Sequence, residues 1–203
     1  TRCYYGCSHR HSIEGRLYFK GWKVKQEFVI FTGPMFGGKT SRMLSRLERA
    51  KYQKKVIKLF KPKMDTRYST ESVISHNGNR WTSTNIELGE DILDHLGRAD
   101  VIAVDEAFMI PNVADILINL YKDGKTVYVS SLQLSSVGEP FEEMTKIFPY
   151  ATKIEVCPAV CFCGEDAYYS IRLTDVKDKV SVGGKGDYEP RCKEHTHHMH
   201  KNT

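Results

Sequence analysis

A glycine-rich stretch at residues 33–40, Gly-Pro-Met-Phe-Gly-Gly-Lys-Thr, constrains this chain more than any other feature. It fits the pattern G-x-x-x-x-G-K-[ST] of a phosphate-binding loop. The residues at 28–31 before it are apolar, and apolar residues recur at helical spacing from 43 to 50 after it. A strand that feeds such a turn into a helix directs backbone N–H groups at an anion, and the helix N-terminus adds partial positive charge. The chain is therefore expected to bind a nucleoside triphosphate.

Every residue of this loop is a predicted nucleotide contact, and two of its side chains carry specific chemistry. Lys39 is expected to reach the β- and γ-phosphates, and the Thr40 hydroxyl is expected to ligate Mg²⁺. The predicted contacts are Gly33, Pro34, Met35, Phe36, Gly37, Gly38, Lys39 and Thr40.

A pair of acidic residues, Asp105 and Glu106, follows the apolar run at 101–104. The acidic residue of a Walker-B strand has this position, so the Asp105 carboxylate is expected to hold Mg²⁺ opposite Thr40. Glu106 is either a group that supports this site or a general base for an acceptor hydroxyl. Acidic pairs after strands are also common on protein surfaces, but the phosphate-binding loop upstream favours the functional interpretation.

A second polar stretch, Asp-Thr-Arg-Tyr-Ser at residues 65–69, follows the apolar run at 55–60. Arg67 would stabilise charge that develops on a transferred phosphoryl group, and Asp65 would orient that group or the metal. An ordinary capped turn explains the same residues almost equally well, so spacing alone leaves both interpretations open.

Apolar runs alternate with helical patterns between residues 27 and 150. We predict strands at 28–32, 55–60, 101–105 and 126–131, and helices at 39–52, 88–97, 112–122 and 140–147. Such alternation predicts a parallel sheet with helices on both faces. Together with the phosphate-binding loop, this makes an α/β P-loop (RecA-like) fold the expected class. Ligands of these sheets bind beyond the carboxyl ends of the strands, where the phosphate-binding loop and Asp105 both fall.

Cysteine is concentrated in the last quarter of the chain, whose short β-like pieces differ from residues 27–150. We predict a small zinc-stapled unit at 151–196, in which three thiolates and an imidazole join two short segments. Because the protein supplies all four ligands, the zinc is expected to be structural. The spacing C-x-C is tighter than the usual C-x₂-C, so Cys157 remains an alternative for one ligand. The predicted ligands are Cys161, Cys163, Cys192 and His195.

The remaining segments and the composition set the broad class. Residues 1–26 are predicted to be an N-terminal extension, natural or left from an expression vector, and residues 197–203 a disordered His-rich tail. A formal net charge of +5 suits a protein that binds polyphosphate. The apolar runs are far shorter than a membrane span, and clustered cysteine in a nucleotide-dependent protein favours a reducing compartment. We expect a cytoplasmic protein without a membrane partner.

Motifs along the chain resemble those of the zinc-containing thymidine kinases, the type found in vertebrate cytosol, in many bacteria and in large DNA phages and viruses. The phosphate-binding loop with its Gly-Pro-Met-Phe opening and the Asp-Thr-Arg-Tyr-Ser stretch are the most specific matches. The matching pieces span residues 28–195, about four-fifths of the chain. They are 33–40, 65–69, His76, 105–106, 138–141, 159–161, 163–164, 183–184, Tyr188, Cys192 and His195.

The resemblance implies transfer of the γ-phosphoryl group of ATP to the 5′-hydroxyl of thymidine, with Mg²⁺ and structural Zn²⁺. Deoxyuridine is expected as a second acceptor. Glu106 would take the proton of the 5′-hydroxyl, and Lys39 and Arg67 would complete the catalytic set. Beyond the phosphate-binding loop, the implied ATP contacts are Asp65, Thr66, Arg67, Asp105, Glu106, Ala107 and Phe108.

The resemblance also implies that a loop of the zinc unit closes over the nucleoside base and binds it largely through backbone groups. Family members are usually tetramers that the end product thymidine triphosphate inhibits. A homotetramer or dimer with that inhibitor, and without a specific nucleic-acid partner, is therefore expected. The implied nucleoside contacts are Met35, Ser136, Phe141, Ser170, Lys179, Val180, Ser181, Val182, Gly183 and Tyr188.

Two positions depart from the family pattern. Family members usually carry Gln where this chain has Phe108, and Phe where it has Ser136. The missing Phe would pack against thymine, and a stacking contact contributes about 0.5–1.5 kcal/mol beyond area burial. Its loss would weaken thymidine binding roughly three- to tenfold unless another aromatic residue, Phe108 or Phe141, substitutes.

Two other functions remain open from the sequence. A zinc-containing NTPase that binds nucleic acid fits the positive charge, although the chain lacks a concentrated basic and aromatic face. A catalytically weakened regulator that binds thymidine triphosphate follows from the altered loop around Ser136. Stimulation of ATP turnover by thymidine favours the kinase, stimulation by single-stranded DNA favours the NTPase, and triphosphate binding without turnover favours the regulator.

Overall fold

A computed structural model describes residues 26–65, 72–74, 80–173 and 186–196, and at 72–74 and 80 it describes the backbone alone. The strands are β1 (Phe28–Thr32), β2 (Ile57–Pro62), β3 (Ser72–Ile74), β4 (Arg80–Thr82), β5 (Thr84–Ile86), β6 (Val101–Asp105), β7 (Thr126–Ser131), β8 (Lys153–Val156), β9 (Ala159–Val160), β10 (Asp166–Ala167), β11 (Tyr169–Arg172) and β12 (Tyr188–Arg191). The helices are α1 (Lys39–Tyr52), α2 (Asp91–His95), α3 (Val113–Lys122) and α4 (Glu142–Ile147), with 3₁₀ turns at Ala107–Met109, Phe148–Tyr150 and Lys193–His195.

A parallel sheet of six strands forms the centre of the molecule, in the order β5-β2-β6-β7-β1-β8. The central strands β1 and β6 are buried along their whole length, which explains their continuous apolar sequence. Because these strands are parallel, the loop after β1 lies at the same edge of the sheet as the carboxyl ends of β6 and β7. This arrangement confirms the predicted parallel α/β fold.

Helices cover both faces of this sheet, as predicted. On one face α1 buries Met43, Leu44 and Leu47 against Phe31 of β1 and residues of the neighbouring strands. The apolar residues of α2, α3 and α4 pack on the other face, where Phe28, Ile30 and Ile102 belong to the same core cluster. Among the helices of the described residues, none is long and apolar enough to cross a membrane.

The two outermost strands of the sheet, β5 and β8, lie outside the predicted strand set. β5 has only 3 residues, and β8 is mostly exposed, so neither carries a continuous apolar run. β8 pairs in parallel with β1, so the central sheet includes residues beyond the boundary predicted at 150. The predicted helix at 88–97 is the shorter α2, because the Asp91 carboxylate accepts hydrogen bonds from the N–H groups of Glu87 and Leu88.

Two small antiparallel pairs follow the central sheet. β9 pairs with β10, and β11 pairs with β12. A separate small core of Ala159, Cys161, Ala167 and Cys192 lies between these short strands. A core of this size buries little apolar surface, which is why such units commonly depend on a metal or a disulfide.

Candidate functional site

The phosphate-binding loop is packed against the carboxyl end of β8. A Cβ atom built on Gly33 would lie 2.3 Å from the Cys157 carbonyl oxygen, and one built on Gly37 would lie 2.2 Å from it. Gly33 also has a φ of 146°, which L-residues rarely adopt. Both glycines are therefore required by the close approach of two backbones. Lys39 opens α1, and its Nζ donates to the Pro34 carbonyl at 2.8 Å within the loop.

Substitution of Gly37 by Ala is expected to destabilise the protein by about 3 kcal/mol, because its methyl group meets backbone atoms that cannot rotate away. Gly38→Ala is the matched control, since a Cβ there has no neighbour within 4 Å. The cost at Gly38 is about 1 kcal/mol and comes from its left-handed backbone alone. Thermal denaturation of both variants measures the difference, and equal losses would contradict the packing argument.

Three oxygen-bearing side chains meet where the loop enters α1. The Thr40 hydroxyl donates to Asp105 Oδ1 at 2.9 Å, and its oxygen lies 3.5 Å from the Ser130 hydroxyl. Asp105 ends β6 and stands opposite Ser130 in the register of the neighbouring strand β7. A carboxylate with two hydroxyls is a set of hard oxygen donors, which fits Mg²⁺. The structure thus brings together the two predicted Mg²⁺ ligands and adds Ser130.

Burial and the adjacent Glu106 carboxylate raise the pKa of Asp105 to about 6. Hydrogen bonds from Ser130 and Thr40 and the charge of Lys39 act in the opposite direction and limit the rise. Desolvation disfavours the charged carboxylate, and a nearby like charge does the same. A divalent cation at this position would relieve both effects, so the site is suited to one.

The pH dependence of stability tests the raised pKa of Asp105. The unfolded pKa of Asp is about 3.9, so between that pH and about 6 the folded protein keeps a proton that the unfolded chain has lost. The contribution of Asp105 to the free energy of unfolding is therefore largest at low pH and falls as the pH rises through this window. In buffer without divalent cations, wild type should gain stability from pH 7 to 5 relative to Asp105→Asn.

Denaturant titrations at several pH values measure this difference, and Asp123→Asn is the control because Asp123 is exposed after α3. Parallel stability profiles for wild type and Asp105→Asn would contradict the raised pKa.

Glu106 has a backbone conformation that is unusual for its type. Its φ of 50° and ψ of 43° lie in the left-handed region, and its carbonyl accepts the N–H of Met109 at 3.0 Å to open the 3₁₀ turn. Such a conformation costs about 1–2 kcal/mol for an L-residue. Strain of this kind is concentrated at functional sites. Phe36 in the phosphate-binding loop has a φ of 66° and is a second such position.

A hydrogen bond links the phosphate-binding loop to the C-terminal unit. The N–H of Met35 donates to the Ser170 hydroxyl of β11 at 2.8 Å, and Ser170 is buried. β11 pairs with β12, and Arg172 of β11 stands opposite Tyr188 of β12. The Arg172 guanidinium lies 5.2 Å from the centre of the Tyr188 ring. Three residues predicted to bind the nucleoside, Met35, Ser170 and Tyr188, therefore belong to one connected region.

The loop between β7 and α4 lies at the same edge of the sheet. Gln133 accepts a hydrogen bond from the Thr32 hydroxyl at 2.7 Å, and Ser136 is half-buried. Phe141 is buried at the start of α4, and its ring centre lies 4.5 Å from that of Phe108. Neither Gln133 nor Ser130 was predicted to belong to the site, because no motif gives them a role. Their positions become visible only when the order of the strands is known.

Four potential metal ligands form one cluster in the C-terminal unit. The ligand atoms of Cys161, Cys163, Cys192 and His195 lie within 4.8 Å of one another. The Cys163 and Cys192 sulfurs are 3.8 Å apart, and the Cys161 sulfur is 3.7 Å from His195 Nδ1. A tetrahedral zinc with Zn–S of about 2.3 Å and Zn–N of about 2.0–2.1 Å holds its ligand atoms about 3.5–3.8 Å apart. The donor set fits zinc, and these two distances match that spacing, while the Cys192 sulfur lies closer to His195 Nδ1, at 3.0 Å.

Two features distinguish this Cys–His cluster from the other thiol of the region. Cys157 lies under the phosphate-binding loop and not in the cluster, and burial raises its pKa. For Cys161, burial also raises the pKa, but hydrogen bonds from backbone and side-chain groups of Cys163 and Cys192 outweigh it and lower the pKa to about 6. A thiol that ionises readily is the form that binds a metal.

Several predicted site residues lie outside the described part of the chain. Asp65, which the structure does describe, is buried just after β2, and its N–H donates to the Pro62 carbonyl at 3.1 Å. The predicted residues outside the described ranges are Thr66, Arg67, Lys179, Val180, Ser181, Val182 and Gly183.

Comparison with known proteins relates this chain to one family. A family model described as thymidine kinase matches residues 26–196. A curated thymidine kinase from Rhodothermus sp. (strain ITI 518) is 39% identical over 166 residues, which cover 81% of this chain and 78% of that relative. The range of the family match contains the phosphate-binding loop, the acidic pair and the whole Cys–His cluster.

Proposed function

The chain belongs to the thymidine kinase family, and we propose that its phosphate-binding loop, Asp105 and Glu106 form the phosphoryl-transfer site. The reaction moves the γ-phosphoryl group of ATP to thymidine. The observation that carries this assignment is that the side chains of Thr40, Asp105 and Ser130 meet at the start of α1. Asp105 is followed directly by Glu106, whose backbone is strained.

In this proposal the loop binds the phosphates of ATP, mainly through backbone N–H groups. Lys39 at the start of α1 reaches the β- and γ-phosphates, and its present bond to the Pro34 carbonyl keeps it beside the loop. Asp65, Thr66 and Arg67 border the same phosphates, with Arg67 stabilising the charge that develops on the transferred group. Ala107 and Phe108 follow the acidic pair, and we assign them to the border of this site.

Glu106 is the proposed general base. It takes the proton of the 5′-hydroxyl while that oxygen attacks phosphorus, and ADP leaves from the opposite side. Its place next to Asp105 sets the base beside the proposed metal ligands. Asp105 and Thr40 would hold Mg²⁺, which supplies charge neutralisation between the phosphates when bound.

The nucleoside would lie between the phosphate-binding loop and the C-terminal unit. We propose contacts from Met35, Ser170 and Tyr188, supported by the hydrogen bond from Met35 to Ser170. Ser136 and Phe141 would border the base from the β7–α4 loop. Lys179, Val180, Ser181, Val182 and Gly183 would close over it, and deoxyuridine, which lacks only the methyl group of thymine, would also be accepted.

We propose that two units of the chain bind different ligands. Residues 27–150, together with β8, bind ATP, and the unit that ends at 196 holds a structural zinc through the Cys–His cluster and closes on the nucleoside. Residues 1–26 and 197–203 would lie outside both units. A cytoplasmic homotetramer that serves nucleoside salvage for DNA synthesis, with thymidine triphosphate as feedback inhibitor, is the setting that the family resemblance supports.

ADP release from Mg-ATP in the presence of each nucleoside in turn tests the function. We expect selective stimulation by thymidine and a smaller or equal response to deoxyuridine. Turnover that responds to single-stranded DNA and not to nucleosides would identify an NTPase instead. Binding of thymidine triphosphate without turnover would identify a regulator.

A further inference from the structure

Phe162 is an exposed aromatic residue inside the Cys–His cluster. It separates the predicted ligands Cys161 and Cys163, and it is 70% exposed. Its ring centre nevertheless lies 4.4 Å from that of the His195 imidazole, with 58° between the planes. The small core of the C-terminal unit does not include Phe162. An exposed ring gains little from burial, so the packing of that core does not explain the contact.

A second contact of the Phe162 ring comes from β12. The guanidinium of Arg191 lies 4.8 Å from the centre of this ring, a distance at which a cation is attracted to an aromatic face. Arg191 is held in turn, because it donates to the Pro190 carbonyl at 3.0 Å and forms an ion pair with Glu189. Arg191 directly precedes Cys192, so the Phe162 ring connects the two chain segments that supply the ligands.

The position of the Phe162 ring bears directly on the orientation of the imidazole. His195 Nδ1 faces the cluster, at 3.0 Å from the Cys192 sulfur and 3.7 Å from the Cys161 sulfur. Rotation of the imidazole would carry this nitrogen away from the thiols. Because the Phe162 ring packs against the imidazole, it restricts that rotation. Groups that orient a ligand in this way control how tightly a metal is held.

The imidazole is also the ligand that needs such support most. A thiolate is held to Zn²⁺ by opposite charge, whereas a neutral imidazole lacks that attraction. Departure of the His195 imidazole is therefore the easiest first step of metal loss. Three thiolates around a dication leave one net negative charge, which the nearby Arg191 cation complements.

We propose that Phe162 is a positioning residue for the His195 ligand. Its ring keeps the imidazole turned toward the thiols and thereby slows the loss of zinc from the Cys–His cluster, while Arg191 supports the ring. This inference rests on the proposed structural zinc. It goes beyond the four ligands, because it assigns a role to the residue between two of them.

Transfer of zinc from the full-length, zinc-loaded protein to an excess of a chromophoric chelator tests this role. Phe162→Ala should bind zinc about tenfold more weakly, the lower end of the effect of removing a group that orients a metal ligand, and release it correspondingly faster. Phe162→Tyr, which keeps the ring, should restore slow release. Val160→Ala is the matched control, because Val160 is also exposed, at 67%, and lies two residues earlier in the same unit.

Equal release from wild type and Phe162→Ala would overturn the inference. An equal acceleration in Val160→Ala would also overturn it, because it would indicate general loosening of the unit. Failure of the zinc site itself gives a different result, since wild type would then bind no zinc. About one zinc per chain in wild type, with release that Phe162→Ala leaves unchanged, rejects the positioning role alone.

Discussion

Glu106→Gln is expected to lower kcat for thymidine phosphorylation by about 10²–10⁴-fold, the usual contribution of a general base. The amide has nearly the shape of the carboxylate but accepts no proton at neutral pH. The left-handed backbone at Glu106, with φ 50°, is kept because the substitution changes only the side-chain terminus. ATP affinity should remain close to that of wild type, since the substitution leaves the main phosphate contacts, in the loop before α1, unchanged.

Two measurements check this expectation, single-turnover phosphorylation of thymidine and binding of ATP by calorimetry. Glu27→Gln is the matched control, because Glu27 is also half-buried but lies at the amino end of β1, where its carboxylate accepts the Tyr128 hydroxyl at 3.3 Å. This control should retain full activity. Normal turnover in Glu106→Gln would remove Glu106 from the role of base.

Cys192→Ser is expected to abolish zinc binding and, with it, the folded C-terminal unit. The Cys192 sulfur lies 3.0 Å from His195 Nδ1 and 3.8 Å from the Cys163 sulfur, so it is central to the cluster. Structural zinc contributes about 10–16 kcal/mol of apparent binding free energy in zinc-finger peptides, and the small core around Cys192 offers little to replace it. Thymidine phosphorylation should be lost as well, because Ser170 of this unit holds the Met35 N–H of the phosphate-binding loop.

Elemental analysis of the purified protein provides the direct test, with about one zinc per chain expected in wild type and almost none in Cys192→Ser. Cys157→Ser is the control, since its sulfur lies outside the Cys–His cluster. That variant should keep its zinc. Loss of zinc from both variants, or from neither, would contradict the assignment of the four ligands.

Agreement between sequence and structure is best where the signal is local and strong. The predicted strands at 28–32, 101–105 and 126–131 coincide with β1, β6 and β7, and the predicted helix at 39–52 coincides with α1. Buried parallel strands need continuous apolar runs, and a helix on one face of a sheet needs an apolar stripe. The edge strands β5 and β8 lacked such runs and were not predicted, although β8 pairs with β1 in the central sheet.

The same distinction applies to the site. The roles of Lys39, Thr40 and Asp105 follow from contiguous motifs, whereas the role of Glu106 as the base follows from the family resemblance. All four roles remain predictions. The choice between Cys157 and the four residues of the Cys–His cluster could not be made from spacing. Only the folded chain separates the Cys157 sulfur from the others, because Cys157 directly follows β8 and its backbone packs against the phosphate-binding loop.

By itself, the sequence determined that this chain has a phosphate-binding loop between a strand and a helix, an acidic pair after a buried strand, and clustered thiols. Each of these depends on residues that are close along the chain. Only the tertiary structure decided that Ser130 faces Thr40, that Ser170 binds Met35 and that Phe108 packs on Phe141. These contacts join residues that are distant in sequence, so they depend on strand order and on the packing of one element against another.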